Sequence, residues 1–477
     1  MRAVAALASL AIAFILCFPV LAIPAAADGH SSIHHPGDSS WSSLNERSQY
    51  ALISHQNGTE NMIIAIEINR NDMASGSQMF WIFPIPADPS ASHIGILPKL
   101  TKLDGVSLSD HLNSTIKNDF AAIYASQIYA IPFSIAMTLP SGTYYGGIDR
   151  LGGGFSGGGL GNDVTVFEHI EGGGLATELL STQDDSALSA YLLEKGLALS
   201  GDISALISDY IGKDYCFVVS WVADAAVLNS LHPVDYSVYQ DYISFSVGVS
   251  VSFPVDDIFF PLKLTKAYGG VMIPIKVDVL GFVSPKNLDA FPSWMDVKVN
   301  YRIDVDLTFN ESMSYFFTTA FGDAADDGNL KDVEYTELRI TSPALVFDDD
   351  LLLEDSAPAN ISAYRFIDGY HWAIMILLFA GTSSLAGLFS GMLAFRHRRP
   401  SKRKFAALGL FNMLTLIALL IATYRLKVGS MMADPPEGDD AGDRKAMFVI
   451  HFIWMFLVSS IVAQAIFTFL VPALYTV

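Results

Sequence analysis

Residues 243–253 read ISFSVGVSVSF, a stretch in which every second side chain is apolar and the residues between are serine or glycine. Successive side chains of a β-strand point to opposite faces, so this pattern predicts a strand with one buried and one solvated face. Residues 297–309, VKVNYRIDVDLTF, show the same alternation. Such strands are typical of antiparallel sheets that face water on one side.

Shorter apolar, β-branched runs extend this pattern on both sides. They are residues 50–54, 62–68, 79–85, 164–167, 215–222, 258–264, 271–282 and 333–340. Two helices are predicted among them, at 186–195 and 202–211, each followed by a glycine that suits a helix C-terminus. The predicted fold class is therefore α+β. Residues 46–366 are expected to form a β-rich, mostly antiparallel, sandwich-like extracellular domain with a short helical insertion.

Two further segments are predicted to lack regular structure. Residues 28–45 are polar and rich in Gly, Ser and His, and we expect a flexible N-terminal segment whose histidines form no specific metal site. Residues 141–163 are predicted to be a Gly-rich loop. The loop matches a dinucleotide-binding turn and a nucleophile elbow, but both motifs need a following helix, and a strand is predicted to follow instead.

Both ends of the chain are strongly apolar. Residues 1–27 combine Arg2, an apolar run and three alanines, the pattern of a cleaved signal peptide, with an uncleaved anchor helix as the alternative. The apolar run 372–395 is long enough to cross ~30 Å of hydrocarbon as a helix. We predict a three-helix transmembrane bundle with spans at 370–395, 405–424 and 447–471, a loop at 396–404 and a second loop at 425–446.

The loop at 396–404 sets the orientation of this predicted bundle. Its basic residues are Arg396, Arg398, Arg399, Lys402, Arg403 and Lys404. Basic loops stay on the cytoplasmic side, so we expect a multi-pass protein of the cell membrane with its large N-terminal domain outside and its C-terminus cytoplasmic. Ser383, Gly387 and Gly391 recur every four residues and predict a helix-packing face, within the bundle or against another membrane subunit.

Acidic residues are concentrated between the two ends. The chain has a formal net charge of −21, and residues 28–369 hold 17 Lys and Arg against 44 Asp and Glu. Such a surface repels nucleic acid, and it favours solubility or a basic partner. Cys216 is the one cysteine beyond the predicted signal peptide, and its apolar neighbours predict a buried structural thiol. No cofactor is predicted.

Few residues of the predicted extracellular domain indicate a catalytic, metal or modification site. Glu168, His169 and Glu171 form the only compact cluster of acids and histidine beyond the N-terminal segment, and they are candidates for an unrecognised catalytic site. The acidic runs at 323–328 and 348–350 are predicted to be solvated turns, and the first of them lacks the ligand spacing of a calcium loop. Four Asn-x-Ser/Thr triplets are possible glycosylation sites: Asn57, Asn113, Asn310 and Asn360.

These observations favour a membrane-anchored cell-surface protein whose ectodomain binds or scaffolds an extracellular partner. An extracytoplasmic hydrolase is one alternative, and it would use the cluster at residues 168–171. An accessory subunit of a membrane complex is another, and it would use the helix-packing face at residues 383–391. No catalytic residue, metal ligand or specific ligand is predicted.

Residues 80–86, FWIFPIP, end a predicted strand with an aromatic run and a Pro-x-Pro pair. A strand at 164–168, a helix at 188–196, a returning strand at 210–222 and the run FPLKLT at 260–265 follow. This series resembles the domain of unknown function family 2330, a family of exported prokaryotic proteins, over residues 47–285. The resemblance implies an exported domain and carries no assigned activity. The family often begins its mature part with paired cysteines, which residues 31–43 lack.

Overall fold

The structure, a computed structural model, describes residues 30–43 except 37 and 39, then 49–69, 77–116, 118, 160–161, 164–232, 244–325, 328–374 and 377. The chain divides into two compact units. The first comprises Met1–Gly105 and Leu151–Ala357, and the second comprises Val106–Arg150 and Pro358–Val477. The first unit contains nearly all of the described β structure.

The strands of the chain are short to medium in length and occur throughout the described residues. In chain order they are β1 His30–His34, β2 Ser42–Ser43, β3 Gln49–Gln56, β4 Thr59–Asn69, β5 Gln78–Ile85, β6 His93–Leu97, β7 Val106–Ser107, β8 Leu160–Gly161, β9 Val164–Gly172, β10 Leu175–Thr182, β11 Cys216–Val222, β12 Ser244–Pro254, β13 Ile258–Phe260, β14 Met272–Leu280, β15 Val283–Pro285, β16 Val297–Thr308, β17 Asn329–Pro343 and β18 Leu351–Asp355.

Three sheets are built from the strands of the first unit. Sheet A has the order β2-β1-β5-β11-β10-β9-β8, and its neighbouring strands run antiparallel. Sheet B has, within this unit, the order β6-β12-β4-β3-β14-β17-β16, and its β3–β14 pair is parallel. Sheet C is small, with the order β13-β18-β15.

Four α-helices accompany these sheets: α1 Asp185–Glu194, α2 Gly201–Ser208, α3 Ala225–Leu231 and α4 Ser314–Phe321. The side chain of Asp184 caps α1 by accepting a hydrogen bond from Ser186 N, and Asp224 caps α3 in the same way at Ala226 N. Such caps satisfy amide groups that have no partner inside a helix. Short 3₁₀ turns lie at Pro89–Ala91, Lys263–Tyr268, Leu288–Ala290, Glu311–Met313, Gly322–Ala325 and Ala344–Val346.

Sheets A and B enclose one hydrophobic core. Val247, Val249 and Val251, the apolar members of the alternating β12 pattern, lie in this core, and Trp81 and Phe83 of β5 enter it from sheet A. All five side chains are buried. Burying a side chain of this type stabilises the fold by ~1.5–3 kcal/mol. The period-two pattern of the sequence therefore decides which face of each strand meets the other sheet.

Helices cover the outer faces of the two sheets, which gives four layers. On sheet A, Phe80 of β5 belongs to a buried cluster with Leu188 of α1 and Ile207 of α2. On sheet B, Leu52 of β3 belongs to another cluster with Phe317 of α4. Both faces of the central strands are covered. Apolar residues therefore occur on both faces of these strands, and not on one face alone.

The β-rich, predominantly antiparallel character of the predicted fold is confirmed, with three local differences. Sheet B is mixed, because β3 and β14 run parallel. Residues 30–34, expected to be flexible, form β1 and pair with β5 in the register Ser32↔Phe80. Backbone hydrogen bonds hold this strand, and Ile33 is its one buried apolar residue, so no apolar pattern marks it. The run at 258–264 leaves the sheet after Phe260 and continues as a 3₁₀ turn.

The predicted three-helix transmembrane bundle is not supported. In the part of the chain that the structure describes, no helix is both long and apolar enough to cross a membrane. The fold class is therefore corrected to a β-rich unit with antiparallel and mixed sheets, and the predicted multi-pass location is not supported either. The bilayer as a partner stays a prediction from the sequence. An apolar run can be long enough to cross a membrane, but its hydrophobicity alone does not specify that a helix of that length forms.

Most residues behind that prediction lie outside the described part. They include the signal peptide at 1–27, the spans at 405–424 and 447–471 and the loops at 396–404 and 425–446. Ser383, Gly387, Gly391 and the six basic residues of the first loop lie outside it too, as does most of the Gly-rich segment at 141–163. Of the predicted span at 370–395, the structure describes 370–374 and 377.

The second unit is described in two pieces. Strand β7 and a helical stretch at residues 108–116 form one, and a helical stretch at 361–374 forms the other. Within this unit, Nε2 of His111 lies 3.5 Å from Oδ1 of Asp368.

Candidate functional site

The most connected group of ionisable side chains that includes predicted site residues surrounds Glu178. Glu178 lies on β10, in the middle of sheet A, where it pairs with His169 of β9 and Val219 of β11. The neighbouring Leu179 points into the core between the sheets, so Glu178 points to the opposite face, on which α1 packs. Because of this alternation, the Glu178 side chain lies on the face of sheet A that the end of α1 covers.

Glu178 is 3% exposed and both of its carboxylate oxygens accept hydrogen bonds. His169 Nδ1 lies 2.9 Å from Oε1, and Lys195 Nζ donates to the same oxygen at 2.8 Å. Tyr191 of α1 donates its hydroxyl to Oε2 at 2.8 Å. A buried carboxylate is tolerated when it is paired and hydrogen-bonded in this way.

The cluster extends towards solvent through His169 and Lys195. His169 Nε2 lies 3.3 Å from Oε1 of Glu171, so both ring nitrogens face carboxylate oxygens. Lys195 Nζ lies 5.0 Å from the ring centroids of both Tyr191 and Trp221, within the range of a cation–π contact. We call His169, Glu178, Tyr191, Lys195 and Trp221 the Glu178 cluster.

The electrostatics of this cluster keep Tyr191 protonated. Burial of its ring, and then the hydrogen bond to the Glu178 carboxylate, raise the pKa of Tyr191 well above its ordinary value. The phenol therefore acts as a hydrogen-bond donor over the physiological pH range. It fixes the Glu178 carboxylate and does not serve as a base.

The structure brings two of the three sequence-predicted residues into this cluster's neighbourhood. His169 is a member, and Glu171 contacts it from the exposed end of β9. Glu168 points to the other face of β9, where its Oε2 accepts a hydrogen bond from Ile94 N at 3.0 Å and lies 3.8 Å from His93 Nδ1. Its role is to tie sheet A to the edge strand β6 of sheet B.

The sequence prediction missed Glu178 itself, together with Tyr191, Lys195 and Trp221. One signal was available: Glu178 interrupts the run LATELLST at 175–182, whose other residues suit a buried strand. A single acid inside such a run indicates a paired, buried carboxylate. Its partners lie on separate elements and have no sequence signature of their own.

The acidic and basic groups of the Glu178 cluster are engaged with one another. Both oxygens of Glu178 are occupied, and both nitrogens of His169 face carboxylates. No serine, threonine or cysteine takes part in the cluster's described hydrogen bonds, so a nucleophile activated by His169 is lacking among them. Cys216, on β11, is buried, and burial raises the pKa of its thiol to about 12.

A second network of charges surrounds Glu337 on sheet B. Arg339 Nε donates to Glu337 Oε1 at 2.7 Å, and Arg302 Nη2 lies 3.0 Å from the same oxygen. Lys276 Nζ lies 2.9 Å from Asp278 Oδ2. Burial alone would raise the pKa of Glu337, but the arginines and Lys276 outweigh it and lower the pKa. For Asp278, burial prevails over Lys276 and raises the pKa to about 6. These charges neutralise one another within the fold.

The acidic run at 348–350 is only partly the solvated turn that was predicted. Asp348 is exposed and paired with Lys266. Asp350 is buried, and its carboxylate accepts hydrogen bonds from Tyr210 OH and Lys263 N, both at 2.9 Å. Burial raises the pKa of Asp350 to about 6. Among the described residues, no group of three or more His, Cys, Asp or Glu side chains is arranged to hold a metal ion.

The four possible glycosylation sites differ in their surroundings. Asn57 and Asn360 are exposed, while Asn113 and Asn310 are partly buried. The amide of Asn310 donates to Lys99 O and Thr101 Oγ1, both at 3.3 Å, so a glycan there would have to displace these contacts. Asn57 and Asn360 are therefore the two better placed acceptors.

Comparisons with protein-family models, with curated proteins and with solved structures find no match. The resemblance to the domain of unknown function family 2330 stays a prediction from the sequence.

Proposed function

We propose that the first unit is a binding or scaffolding domain that recognises a protein partner on the outer face of sheet A, at β9. The observation that carries the proposal is the Glu178 cluster, which holds the partly exposed side chains of His169, Lys195 and Trp221 in fixed positions. Rigid aromatic and charged groups of this kind dominate the energetics of protein interfaces.

Two exposed residues extend this surface along β9. Glu171 lies two residues after His169 and contacts its ring, and Phe167 lies two residues before it, where the pairing of β9 with β10 is irregular between Val166 and Glu168. Both are exposed. The surface therefore combines an apolar ring with acidic and cationic groups, which suits a partner that contributes both an apolar and a basic side chain.

The charge of the chain indicates the chemistry of the partner. The acidic surplus of residues 28–369 favours a basic segment.

The hydrolase alternative is less well supported, because the groups that would perform general acid–base catalysis are already engaged with one another. A turnover activity that is lost in the His169→Ala variant would favour the hydrolase over the binding domain.

Peptide selection on the full chain tests the proposal. A phage-displayed library of random peptides would be enriched on the wild-type protein, and the selected peptides compared on Phe167→Ser and Glu171→Lys. The control is Val305→Ser, because Val305 is a similarly exposed apolar residue on β16 of sheet B. We expect net-basic peptides whose affinity falls at least tenfold on the two β9 variants and stays unchanged on the control. Selected peptides that bind all four proteins equally would contradict the proposal.

A further inference from the structure

A cavity of about 230 Å³ lies between the edge of sheet B and the N-terminal end of α4. Strands β4, β12 and β6 form its floor, and Ser312, Tyr315 and Phe316 form one wall. At ~30 Å³ for each water molecule, it has room for about seven waters, or for one ring-sized ligand. The cavity is separate from the β9 surface to which the proposed protein-binding function is assigned.

The cavity carries polar groups whose hydrogen-bonding capacity is available to a ligand. Asn61 of β4 lines it and is 7% exposed. Its side-chain amide offers two donor hydrogens and an acceptor oxygen to a molecule bound in the cavity. Ser250 and Ser252 of β12 add two hydroxyls to the same lining.

A glycine in the edge strand keeps the floor of the cavity open. Gly95 of β6 pairs with Ser250, and a Cβ at Gly95 would collide with the Ser250 hydroxyl oxygen. Any other residue at position 95 would push this hydroxyl aside or occupy the space itself. Glycine at position 95 therefore leaves room for the Ser250 hydroxyl at this point of the floor.

The lining also specifies the charge and shape of a ligand. It contains no lysine, arginine, aspartate or glutamate, and His93 at the rim is its one ionisable group apart from the phenol of Tyr315. A charged ligand would lack a counter-charge in such a site. Tyr315 is 76% exposed and stands beside the buried ring of Phe316, so aromatic surface borders the polar floor.

We infer that this cavity binds a neutral, hydroxyl-rich ring, that is, a single sugar residue. Hydroxyl groups donate and accept, as do the amide of Asn61 and the serine hydroxyls, so the two sets are complementary. The apolar face of a sugar ring would lie against Tyr315. A ligand of this size and polarity has an expected dissociation constant in the millimolar range.

Ligand-detected NMR on the full chain tests the inference. Saturation-transfer spectra would be recorded with glucose, galactose, mannose and N-acetylglucosamine in turn at millimolar concentration. We expect transfer to at least one of them, with affinity reduced about tenfold in Asn61→Leu, which loses the amide hydrogen bonds, and in Tyr315→Ala, which loses the ring. Tyr315→Phe keeps the ring and should retain most of the affinity.

Two features keep this test decisive. If Asn61→Leu does not fold, Tyr315→Ala decides the question, because an exposed side chain can be truncated without disturbing the core. Trp294→Ala removes an exposed aromatic residue that does not line the cavity and serves as the control. Absence of transfer to all four sugars, or equal transfer in Tyr315→Ala and the wild type, would overturn the inference.

Discussion

Replacement of Glu178 by glutamine tests whether the Glu178 cluster is a network of buried charges. The substitution nearly preserves the side-chain volume but removes the negative charge that faces His169 and Lys195. The amide oxygen of the new side chain can still accept one hydrogen bond, for example from Tyr191. The Lys195 ammonium loses the carboxylate that lies 2.8 Å away. We expect the variant to fold and to be less stable.

The expected loss of stability in Glu178→Gln depends on how deeply the Glu178–Lys195 pair is buried. Removing one partner of a buried ion pair costs about 3–5 kcal/mol when the other charge stays buried. Lys195 keeps 27% of its side chain exposed and can turn towards water, so we expect a loss of ~2–3 kcal/mol. Glu171 provides a matched control, because it also contacts His169 but is 68% exposed. Glu171→Gln should cost less than about 0.5 kcal/mol.

Urea unfolding of the full chain measures both variants. Trp221 lies next to Lys195, so tryptophan fluorescence reports on the cluster while far-ultraviolet circular dichroism reports on the sheets. With a typical urea dependence of ~1–3 kcal/mol per molar, the Glu178→Gln midpoint should fall by roughly 0.7–3 M. Equal losses of stability in the two variants, or a loss below about 0.5 kcal/mol for Glu178→Gln, would refute the assignment.

Three further predictions concern other buried positions. Burial raises the pKa of Glu60 well above its usual range, so deprotonation favours the unfolded chain. The free energy of unfolding should therefore fall as pH rises above about 4.5, and Glu60→Gln should flatten this slope; an unchanged pH profile would contradict this. Gly105→Ala should cost ~1–3 kcal/mol, since a Cβ there meets the backbone of Ile303, whereas Gly172→Ala, which meets nothing within 4 Å, should cost less; thermal unfolding compares them. Cys216 should resist iodoacetamide at pH 8 until the chain is denatured; equal alkylation rates in both states would disprove its burial.

The local sequence pattern was enough to predict strands in which alternating apolar residues specify the buried face. The alternation at 243–253 predicted β12, and Gly196 marked the end of α1, whereas α2 ends at Ser208, before the end at 211 that Gly212 had suggested. The strand β1 could not be predicted in this way. It pairs with β5 through backbone groups, which every residue carries, and its sequence HSSIH has one apolar residue.

The candidate site was less predictable than the fold because it depends on contacts between distant elements. His169 and Glu171 are close in sequence and were found as a pair. Glu178 needed partners from β9, from α1 and from the residue after α1 before its charge could be buried. Sequence spacing carries no information on which of these side chains converge. The same limit applies to Asn61, which resembles any polar residue at a turn-proximal strand end.

The acidic composition has a structural side that the sequence did not reveal. Several carboxylates lie inside the first unit and connect elements that the hydrophobic cores alone would not fix in register. Glu60 accepts a hydrogen bond from Phe259 N at 2.7 Å and thereby links sheet B to sheet C. Asp350 links the loop before β18 to Tyr210, in the turn that follows α2, and Glu168 links sheet A to β6.

These links matter because the described residues contain a single cysteine, which is buried and unpaired. Cross-connection between layers must then come from directional polar contacts in addition to apolar packing. A buried carboxylate serves this purpose well, because each oxygen can accept hydrogen bonds from backbone and side-chain donors at once. Part of the acidic composition that was attributed to solubility therefore connects the sheets and helices, and the raised pKa values of Glu60 and Asp350 make the stability of the unit dependent on pH.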